Sequence, residues 1–335
     1  MIADFYPRNI VARLFALAVT LIPLSVFASM AAADVAAMKQ FWPRTNFEKT
    51  TIDLSEILSG GIPRDKIPAI DAPTIGTLAQ GAAVYDAREP VITVTVDGKT
   101  RGYPLTILIW HEIVNDQLGG LPITVTYCPL CNSAVVFDRR VGDKVLDFGT
   151  TGNLRFSDLV MYDRQTESWW QQFTGQGIVG EFAGAELKIL PVRVEPFGVF
   201  AERNPDADVL LRTPGFARNY GVNPYGGYDS GEQPLFPGIP EPEGIAPLAY
   251  VVAVADQAWS LDLLREKKRI EAGDLVLTWE PGQISVLDNS YIKESRDVGY
   301  VTVQRKQGGE LVEVLHDTTF AFAFNAFRPQ GTIHK

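Results

Sequence analysis

The sequence predicts an α+β protein that is mainly β, built from two degenerate repeats around a common core. The chain has 335 residues, including 22 prolines and 29 glycines, and so many turn-forming residues favour numerous short strands. β-branched and other apolar residues alternate at 90–97 and again at 249–255, as strands require. A chain of this length can bury a sizeable hydrophobic core without disulfide bonds.

The second half of the chain resembles the first, since each half has the pattern of a hairpin, a short helix, a strand, a turn and a strand. The matched segments are 92–96 with 249–255, 103–108 with 259–264, 123–127 with 275–279, and 135–138 with 285–288. The second copy has no counterpart of His111, Glu112, Cys128 or Cys131. Residues that folding requires should occur in both copies, so these four are predicted to form a site.

Local signals define the elements of the first half. The strand at 90–97 ends in Asp97-Gly98, a hairpin turn signal. Pro104 suits the first turn of an apolar helix predicted at 105–114.

Downstream, Pro196 likewise favours a helix at 195–204. At the end of the chain, phenylalanine alternates with alanine, which predicts a strand with one aromatic face. Outside the repeated segments, strands are predicted at 145–149, 159–163 and 320–324.

The N-terminus has the layout of a secretory signal peptide. Arg8 and Arg13 precede an apolar run at 14–27, and small residues follow at 28–33. The run is shorter than the roughly 20 residues that a membrane-spanning helix needs. We therefore expect cleavage, no stable membrane span afterwards, and a periplasmic or secreted protein, with an uncleaved anchor as the alternative.

The chain is thus divided into five segments. The segment rich in glycine, proline and tyrosine has no regular pattern, and it is predicted to be either a lid or a tether between the halves. The segments are a signal peptide at 1–33, an N-terminal extension and ordered loop at 34–89, the first half at 90–219, the connector at 220–247 and the second half at 248–335.

Composition excludes several classes of partner. A formal net charge of -10 argues against a nucleic-acid-binding protein and against docking on anionic lipid. The sequence has no glycine-rich phosphate loop, so no nucleotide cofactor is expected. The remaining partners are a metal ion, a small ligand or another protein.

The candidate site is centred on the two cysteines of the chain. Cys128 and Cys131 lie in a Cys-Pro-Leu-Cys turn between two predicted strands, and His111 lies upstream, near the end of a predicted helix. Two thiolates and an imidazole form a ligand set for copper(I) or zinc(II). In an oxidising compartment, two neighbouring thiols tend to pair unless a metal or a reductant holds them. The sequence therefore predicts a copper or zinc site.

Four further residues are predicted to support this site. Glu112 or Asp116 would orient the imidazole through a hydrogen bond, and Met161 offers a soft fourth ligand for copper. Trp110 lies beside His111 on the same helix. Zinc with an open coordination position suggests hydrolysis, whereas copper suggests carriage or delivery.

Two alternatives remain open. The first is a dithiol redox protein, although the residues after Cys131 predict a strand and not the helix that stabilises a reactive thiolate. The second is a binding module with an inert cysteine pair and a cleft near Trp169 and Trp170. A deaminase-type zinc site fits poorly, because His111-Glu112 lacks the intervening residue of that signature and the proline lies between the cysteines.

Several motifs resemble one bacterial family, known as domain of unknown function 3179. The similarity covers roughly residues 50–330 and implies an exported globular protein, without an activity. The chain departs from the family at 155–158, Arg-Phe-Ser-Asp, where relatives more often have Tyr or Asn nearby. The motifs are Gly-Gly to Ile-Pro at 60–68, Arg-Gly-Tyr-Pro at 101–104, Trp-His-Glu-Ile-Val-Asn-Asp at 110–116, Thr-Tyr-Cys-Pro-Leu-Cys at 126–131, Leu-Val-Met-Tyr-Asp-Arg at 159–164, Phe-Thr-Gly at 173–175, and Phe-Ala-Phe before Phe-Arg-Pro at 327–329.

Overall fold

Strands dominate the structure, as the sequence predicts. The computed structural model describes residues 38–335, so the predicted signal peptide at 1–33 lies outside the described residues. Helices account for 15% of the residues and strands for 40%, and the strands form a propeller-like ring of small sheets. Residues 42–335 form one compact unit. Among the described residues, no helix combines the length and the apolar character that crossing a bilayer requires.

The strands are short and are distributed along the whole described chain. They are β1 (Ile57–Ser59), β2 (Ile75–Thr77), β3 (Pro90–Val96), β4 (Lys99–Pro104), β5 (Ile113–Leu118), β6 (Leu121–Cys128), β7 (Ser133–Asp138), β8 (Arg140–Val141), β9 (Lys144–Val145), β10 (Phe148–Arg155), β11 (Asp158–Asp163), β12 (Trp169–Gln171), β13 (Gly177–Val179), β14 (Ile189–Leu190), β15 (Val192–Pro196), β16 (Asp208–Leu210), β17 (Tyr250–Val254), β18 (Gln257–Ser260), β19 (Arg269–Ala272), β20 (Leu275–Glu280), β21 (Tyr300–Gln307), β22 (Glu310–Glu313), β23 (Asp317–Phe320) and β24 (Thr332–His334).

The α-helices are equally short. The first begins with a capping box, in which the Thr77 side chain accepts from the Gln80 amide and the Gln80 side chain accepts from the Thr77 amide. They are α1 (Leu78–Ala82), α2 (Leu105–His111), α3 (Phe197–Arg203), α4 (Leu261–Lys267) and α5 (Ala321–Phe327), with residues 38–41 also helical and single 3₁₀ turns at Leu54–Glu56, Tyr228–Ser230 and Ile292–Glu294.

Five sheets of four or five strands contain nearly all of these strands, and β8 and β9 form a separate hairpin. The strand orders are β1-β10-β11-β12-β13 in sheet 1, β14-β7-β6-β5 in sheet 2, β15-β3-β4-β16-β2 in sheet 3, β23-β17-β18-β24 in sheet 4 and β19-β20-β21-β22 in sheet 5. The largest hydrophobic core includes side chains of sheets 1, 2 and 3 and reaches Phe320 and Phe322 near the end of the chain. A smaller core in the second half surrounds Trp259 and Trp279.

Sheets 3 and 4 share one pattern of pairing. In sheet 3, β3 pairs antiparallel with β4 and β15, while β4 pairs parallel with β16. In sheet 4, β17 pairs antiparallel with β18 and β23, while β18 pairs parallel with β24. A seven-residue helix follows the second strand in each case, and it ends at a residue with positive φ, Glu112 at 58° or Lys268 at 62°.

Four of the predicted elements need correction, and three of them concern the bounds or the existence of a single element. The helix predicted at 105–114 ends at His111, because Glu112 reverses the backbone and β-branched Ile113 and Val114 begin β5. Residues 285–288 form no strand, and β20 instead pairs with β21 at 300–307. The strand predicted at 145–149 begins only at Phe148.

The most instructive correction concerns the phenylalanines at the end of the chain. The strand predicted at 320–324 is wrong, because β23 ends at Phe320 and helix α5 begins at Ala321. Ala321, Phe322, Ala323 and Phe324 are all buried, so the segment has no exposed face that could reveal its period. A short apolar run that is buried on every side does not distinguish a strand from a helix.

Candidate metal centre

The two cysteines lie at the tip of the β6–β7 hairpin, which confirms the predicted strand, turn and strand. Cys128 is opposite Ser133 in the register of the hairpin. Asn132 closes the turn in a left-handed conformation, with φ at 50°, and its side-chain oxygen accepts a hydrogen bond of 2.9 Å from the Tyr127 hydroxyl. Asparagine tolerates this conformation better than most residues, so the turn is a stable local structure.

Distant segments hold the turn in place. The Cys131 carbonyl accepts hydrogen bonds from the Phe320 amide at 3.0 Å and from the Thr319 hydroxyl at 2.8 Å. The Leu130 carbonyl accepts a bond of 2.9 Å from the Tyr228 hydroxyl, which belongs to the connector. The second half of the chain and the connector therefore both position the cysteines.

A second hairpin tip faces the thiols. The turn between β10 and β11 contains Phe156 and Ser157, both with positive φ, at 53° and 59°. Both thiols lie within hydrogen-bond distance of the Ser157 carbonyl, with the Cys128 sulfur 3.7 Å and the Cys131 sulfur 3.5 Å from the oxygen. Two residues of positive φ define a turn that normally selects asparagine or glycine, so this turn is strained.

Asp158, the first residue of β11, completes the cluster. One of its carboxylate oxygens and the two sulfurs all lie within 4.8 Å of one another, and all three side chains are buried. The Asp158 Oδ2 accepts bonds from the Gln171 side chain at 2.6 Å and from the Phe173 amide at 3.0 Å. The Asp158 Oδ1 is buried and has no hydrogen-bond partner within the described part of the chain.

Burial raises the pKa of every acid in this cluster. It raises the pKa of Asp158 to about 6, although the bonds from Gln171 and Phe173 oppose that rise. Burial, together with the charge of Asp158, raises the pKa of Glu112 to about 8. The pKa of Cys128 and that of Cys131 are also raised, chiefly by burial and further by neighbouring negative charge. The site is thus a group of mutually repelling acids in the protein interior.

No basic side chain neutralises this group. Among the described residues, neither Asp158 nor Glu112 takes part in a salt bridge, and Arg155, which lies closest in sequence, pairs with Glu56. Buried carboxylates are normally paired or bound to a metal, because an isolated charge is costly in a medium of low dielectric constant. The cluster therefore has the electrostatic character of a cation site.

Glu112 connects the cluster to a cavity. Its backbone ends α2 by donating to the Leu108 carbonyl at 2.7 Å, and its own carbonyl accepts from the Tyr127 amide at 2.8 Å. The side chain is 7% exposed and lines a cavity of about 310 Å³. It also lies close to the cluster, because, in addition to burial, the charge of Asp158 raises its pKa and its own charge raises that of Cys128. The dithiol cluster thus lies next to a space large enough for a small molecule.

His111 is not part of the cysteine cluster. The ring is buried, its Nδ1 lies 2.7 Å from the Pro68 carbonyl, and its Nε2 lies 2.7 Å from the Tyr220 hydroxyl. Both nitrogens therefore have partners already, and the group of ligand atoms contains Asp158 where the sequence had suggested the imidazole. In this structure His111 links the N-terminal loop to the connector.

The supporting residues also have other contacts. Asp116 accepts from the Arg101 side chain at 2.7 Å and from the Tyr103 hydroxyl at 2.8 Å, and so does not orient His111. Met161 is buried in the hydrophobic core and lies three residues from Asp158, on the opposite face of β11. Trp110 lines the cavity and donates to the Val222 carbonyl at 3.0 Å.

Two observations bear on the alternative functions. Strand β7 begins two residues after Cys131, and the thiol pKa values are raised, so the features that activate a redox cysteine are not found here. Trp169 and Trp170 are both completely buried, so they form core and not a binding platform.

The sequence provided only indirect evidence for Asp158. The residue lies 27 positions after Cys131 and reaches it only because two hairpin tips from different sheets meet. The available signal was Phe156-Ser157, a two-residue hairpin turn without glycine or asparagine.

The fold and the cluster together define a mainly β protein with a buried dithiol–carboxylate centre beside an apolar cavity. The chain belongs to the family described as "Protein of unknown function (DUF3179)", whose model matches residues 64–331. This confirms the family resemblance, and the matched range contains the cysteines, Asp158 and Glu112. No curated protein and no solved structure matches the chain.

Proposed function

We propose that this protein binds a divalent transition metal through Cys128, Cys131 and Asp158. One observation carries the proposal: two sulfurs and a carboxylate oxygen lie within 4.8 Å of one another in the protein interior, and no basic side chain of the described residues forms a salt bridge with that carboxylate. The unpartnered Asp158 Oδ1 supports it, because a buried acceptor without a donor is rare unless a ligand or an ion completes it.

Zinc fits this donor set better than copper(I), because a carboxylate oxygen is a hard ligand and copper(I) prefers soft ones. Bonds of about 2.3 Å from zinc to sulfur and about 2.1 Å to oxygen place the ligand atoms of a tetrahedral site about 3.5–3.8 Å apart. Such spacings fall within the observed limit of 4.8 Å. Small side-chain rotations would suffice to form the site.

The number of protein ligands favours a reactive zinc site over a structural one. Structural zinc normally has four protein ligands, whereas catalytic zinc has three and binds a water molecule at the fourth position. When bound, zinc lowers the pKa of that water and so supplies a nucleophile near neutral pH. Glu112 lines the adjacent cavity, and burial raises the pKa of its carboxyl group to about 8, so it holds a proton near neutral pH in the metal-free protein. A zinc ion bound nearby would lower that pKa, and the ionised carboxylate would then be suited to accept a proton. We infer a metal-dependent hydrolytic function.

Metal analysis tests the ligand set. Wild-type protein purified without added metal should contain about one zinc ion per chain, as measured by elemental mass spectrometry. Cys128→Ser and Asp158→Asn should lower both the zinc content and the affinity for zinc. His111→Gln should retain the metal, because His111 is proposed to have a structural role.

Asp317→Asn provides the matched control for Asp158→Asn. Burial also raises the pKa of the Asp317 carboxyl to about 6, but this residue begins β23 and is outside the cluster. The proposal fails if wild-type protein contains no metal, or if Asp158→Asn and Asp317→Asn bind it equally well. Loss of metal in both Cys128→Ser and His111→Gln, but not in Asp158→Asn, would restore the ligand set predicted from the sequence.

We also propose that the protein is exported, on the evidence of the signal-like segment at 1–33. Export and metal binding are connected, because in an oxidising compartment a bound metal would keep the two thiols from forming a disulfide. N-terminal sequencing of protein from the periplasmic fraction tests this. An intact N-terminus in the cytoplasmic fraction would contradict it.

Finally, we infer that the chain arose from two degenerate copies of one unit. The shared pairing of sheets 3 and 4 supports this, as does the matched helix end, where the Lys268 amide donates to Leu264 and the Lys268 carbonyl accepts from the Trp279 amide, as in Glu112. The corresponding residue in the second copy is Lys268, which also has a positive φ. The backbone conformation is therefore a property of the fold, and only the carboxyl group of Glu112 is specific to the site.

A further inference from the structure

The cavity beside the cluster has the composition of a small-molecule site. Its wall is mainly apolar and includes Ile109, Trp110, Leu154, Leu159 and Phe236. Sites of this kind combine such a wall with a few polar groups that orient the ligand. Its volume of about 310 Å³ is roughly twice that of a cavity known to hold benzene, which allows a ligand of about ten non-hydrogen atoms.

Two cationic side chains line the same cavity. Arg218 donates to the Lys66 carbonyl at 3.0 Å, so the two residues are neighbours, and its guanidinium carbon lies 5.8 Å from the centre of the Trp110 ring. Neither Lys66 nor Arg218 forms a salt bridge within the described part of the chain. Against these two cations stands one acid, Glu112, so the lining has a net positive charge.

The exposed fractions of the lining residues show which of them lie near solvent. Lys66 is exposed, and the exposed apolar side chains Ile62 and Leu235 lie on the same lining. Glu112 is only 7% exposed, and its carboxyl group has no hydrogen-bonded partner among the described residues. Lys66 therefore lies toward solvent, where an ionised group keeps part of its hydration, and the half-buried Arg218 lies beside it.

We propose that the cavity binds a small amphipathic organic anion. The anionic head group lies at the mouth against Lys66 and Arg218, and the apolar body lies against Trp110 and Leu154. A guanidinium group can donate two parallel hydrogen bonds to a carboxylate, sulfate or phosphate head group. This inference rests on the cavity and its cations and does not depend on the metal centre.

Calorimetric titration with three ligands of equal chain length tests the head-group preference. Octanoate should bind at least tenfold more tightly than octan-1-ol and octylammonium. Lys66→Met should lower the affinity for octanoate at least threefold. The double variant Lys66→Met with Arg218→Met should lower it at least tenfold, while its affinity for octan-1-ol should change less than threefold. Ile67→Trp, which fills the cavity, should abolish binding of both octanoate and octan-1-ol.

Arg212→Met is the matched control, because Arg212 lies over another aromatic ring, 5.5 Å from the centre of Tyr220, but does not line the cavity. It should leave octanoate binding unchanged. Each titration is repeated on protein stripped with a chelator, and unchanged affinity is expected. Loss of octanoate binding on stripping would assign the anion to the metal and overturn the proposal. Equal affinity for all three ligands, no binding, or a preference for octylammonium would also overturn it.

Discussion

Asp158 presents its two carboxylate oxygens to different surroundings. One oxygen accepts two hydrogen bonds from the protein, and the other is buried with no donor in the part of the chain that the structure describes. Leaving a buried acceptor unsatisfied costs about 1–3 kcal/mol, more when the group is charged. Because the two thiols lie against the same residue, a bound cation would remove this cost and neutralise the repulsion between the three acids.

Glu112 makes the stability of the metal-free protein depend on pH. Its pKa is raised from 4.5 to about 8 in the folded protein, so between these pH values the folded state holds a proton that the unfolded state has lost. The free energy of unfolding should therefore fall as the pH rises from 5 to 8, on the order of 3 kcal/mol from this group. Glu112→Gln should remove that part of the loss and be more stable than wild type at pH 8.

Urea denaturation in the presence of a chelator, at several pH values, measures this effect. Glu310→Gln is the control, because Glu310 is exposed on β22. If the stability difference between Glu112→Gln and wild type stays constant from pH 5 to pH 8, then Glu112 is not titrating in this range.

The site residues show what the sequence reveals at this scale. Cys128 and Cys131 are separated by two residues, so one turn brings them together and their pairing is predictable. Asp158 and His111 are different, because their positions depend on how two sheets pack. His111 was close in sequence and chemically suitable, yet its ring nitrogens bond to Pro68 and Tyr220, contacts that no local pattern predicts.

The turn between β10 and β11 stores strain at the site. Ser157 has φ at 59°, and its hydroxyl is buried without a hydrogen-bond partner among residues 38–335. Ser157→Gly should raise the free energy of unfolding of the metal-free protein by about 1 kcal/mol, because glycine adopts positive φ without a steric penalty. Metal content should be unchanged, since only the Ser157 backbone carbonyl faces the thiols.

Thermal and urea denaturation of Ser157→Gly and Ser157→Ala separate the two causes. Alanine removes the unsatisfied hydroxyl but keeps the strained backbone, so it should recover less of the stability. A destabilised Ser157→Gly would mean that the turn is not strained.

A hydrogen bond from Tyr228 links the connector to the cysteine turn. Tyr228 donates to the Leu130 carbonyl at 2.9 Å, and Tyr228→Phe would leave that carbonyl without this donor. The expected loss is about 1 kcal/mol, which corresponds to about a fivefold rise in the population of an open connector. Limited proteolysis should then cleave within 220–247 about five times faster than in wild type.

Tyr291→Phe is the control for this prediction, because Tyr291 is another tyrosine but is 56% exposed. Equal cleavage rates in the two variants would show that the Tyr228 hydroxyl does not hold the connector closed. The sequence predicted either a lid or a tether for this segment, and its composition alone could not decide between them.

Elements were predictable where the residue pattern had one physical explanation. The hairpin at 90–104 combines alternating residues with a turn signal, and the structure has both strands. The pattern of phenylalanines near the end of the chain did not distinguish a strand from a helix. All of its positions are buried, so there is no exposed face to separate the strand period of two from the helix period of 3.6. The strand predicted at 285–288 was wrong for a different reason, because the strand that pairs with β20 is β21, which lies further along the chain.

At the scale of the whole molecule, the two halves are joined at the site. The Phe320 amide and the Thr319 hydroxyl of β23 donate to the Cys131 carbonyl, and the largest hydrophobic core contains residues of both halves. Unfolding of the second half would therefore expose the cysteine turn of the first. We expect one cooperative thermal transition for residues 42–335.

Zinc should raise the midpoint of that single transition. A ligand that binds only the folded state adds about 2.7 kcal/mol to the free energy of unfolding at a concentration one hundred times its dissociation constant. Because the halves are coupled, differential scanning calorimetry should show the whole transition moving upward with zinc concentration. Asp158→Asn should not respond, whereas Asp317→Asn should respond as wild type does. Two separate transitions, with only the lower or the upper one shifted by zinc, would mean that the halves unfold independently and that β23 does not stabilise the centre.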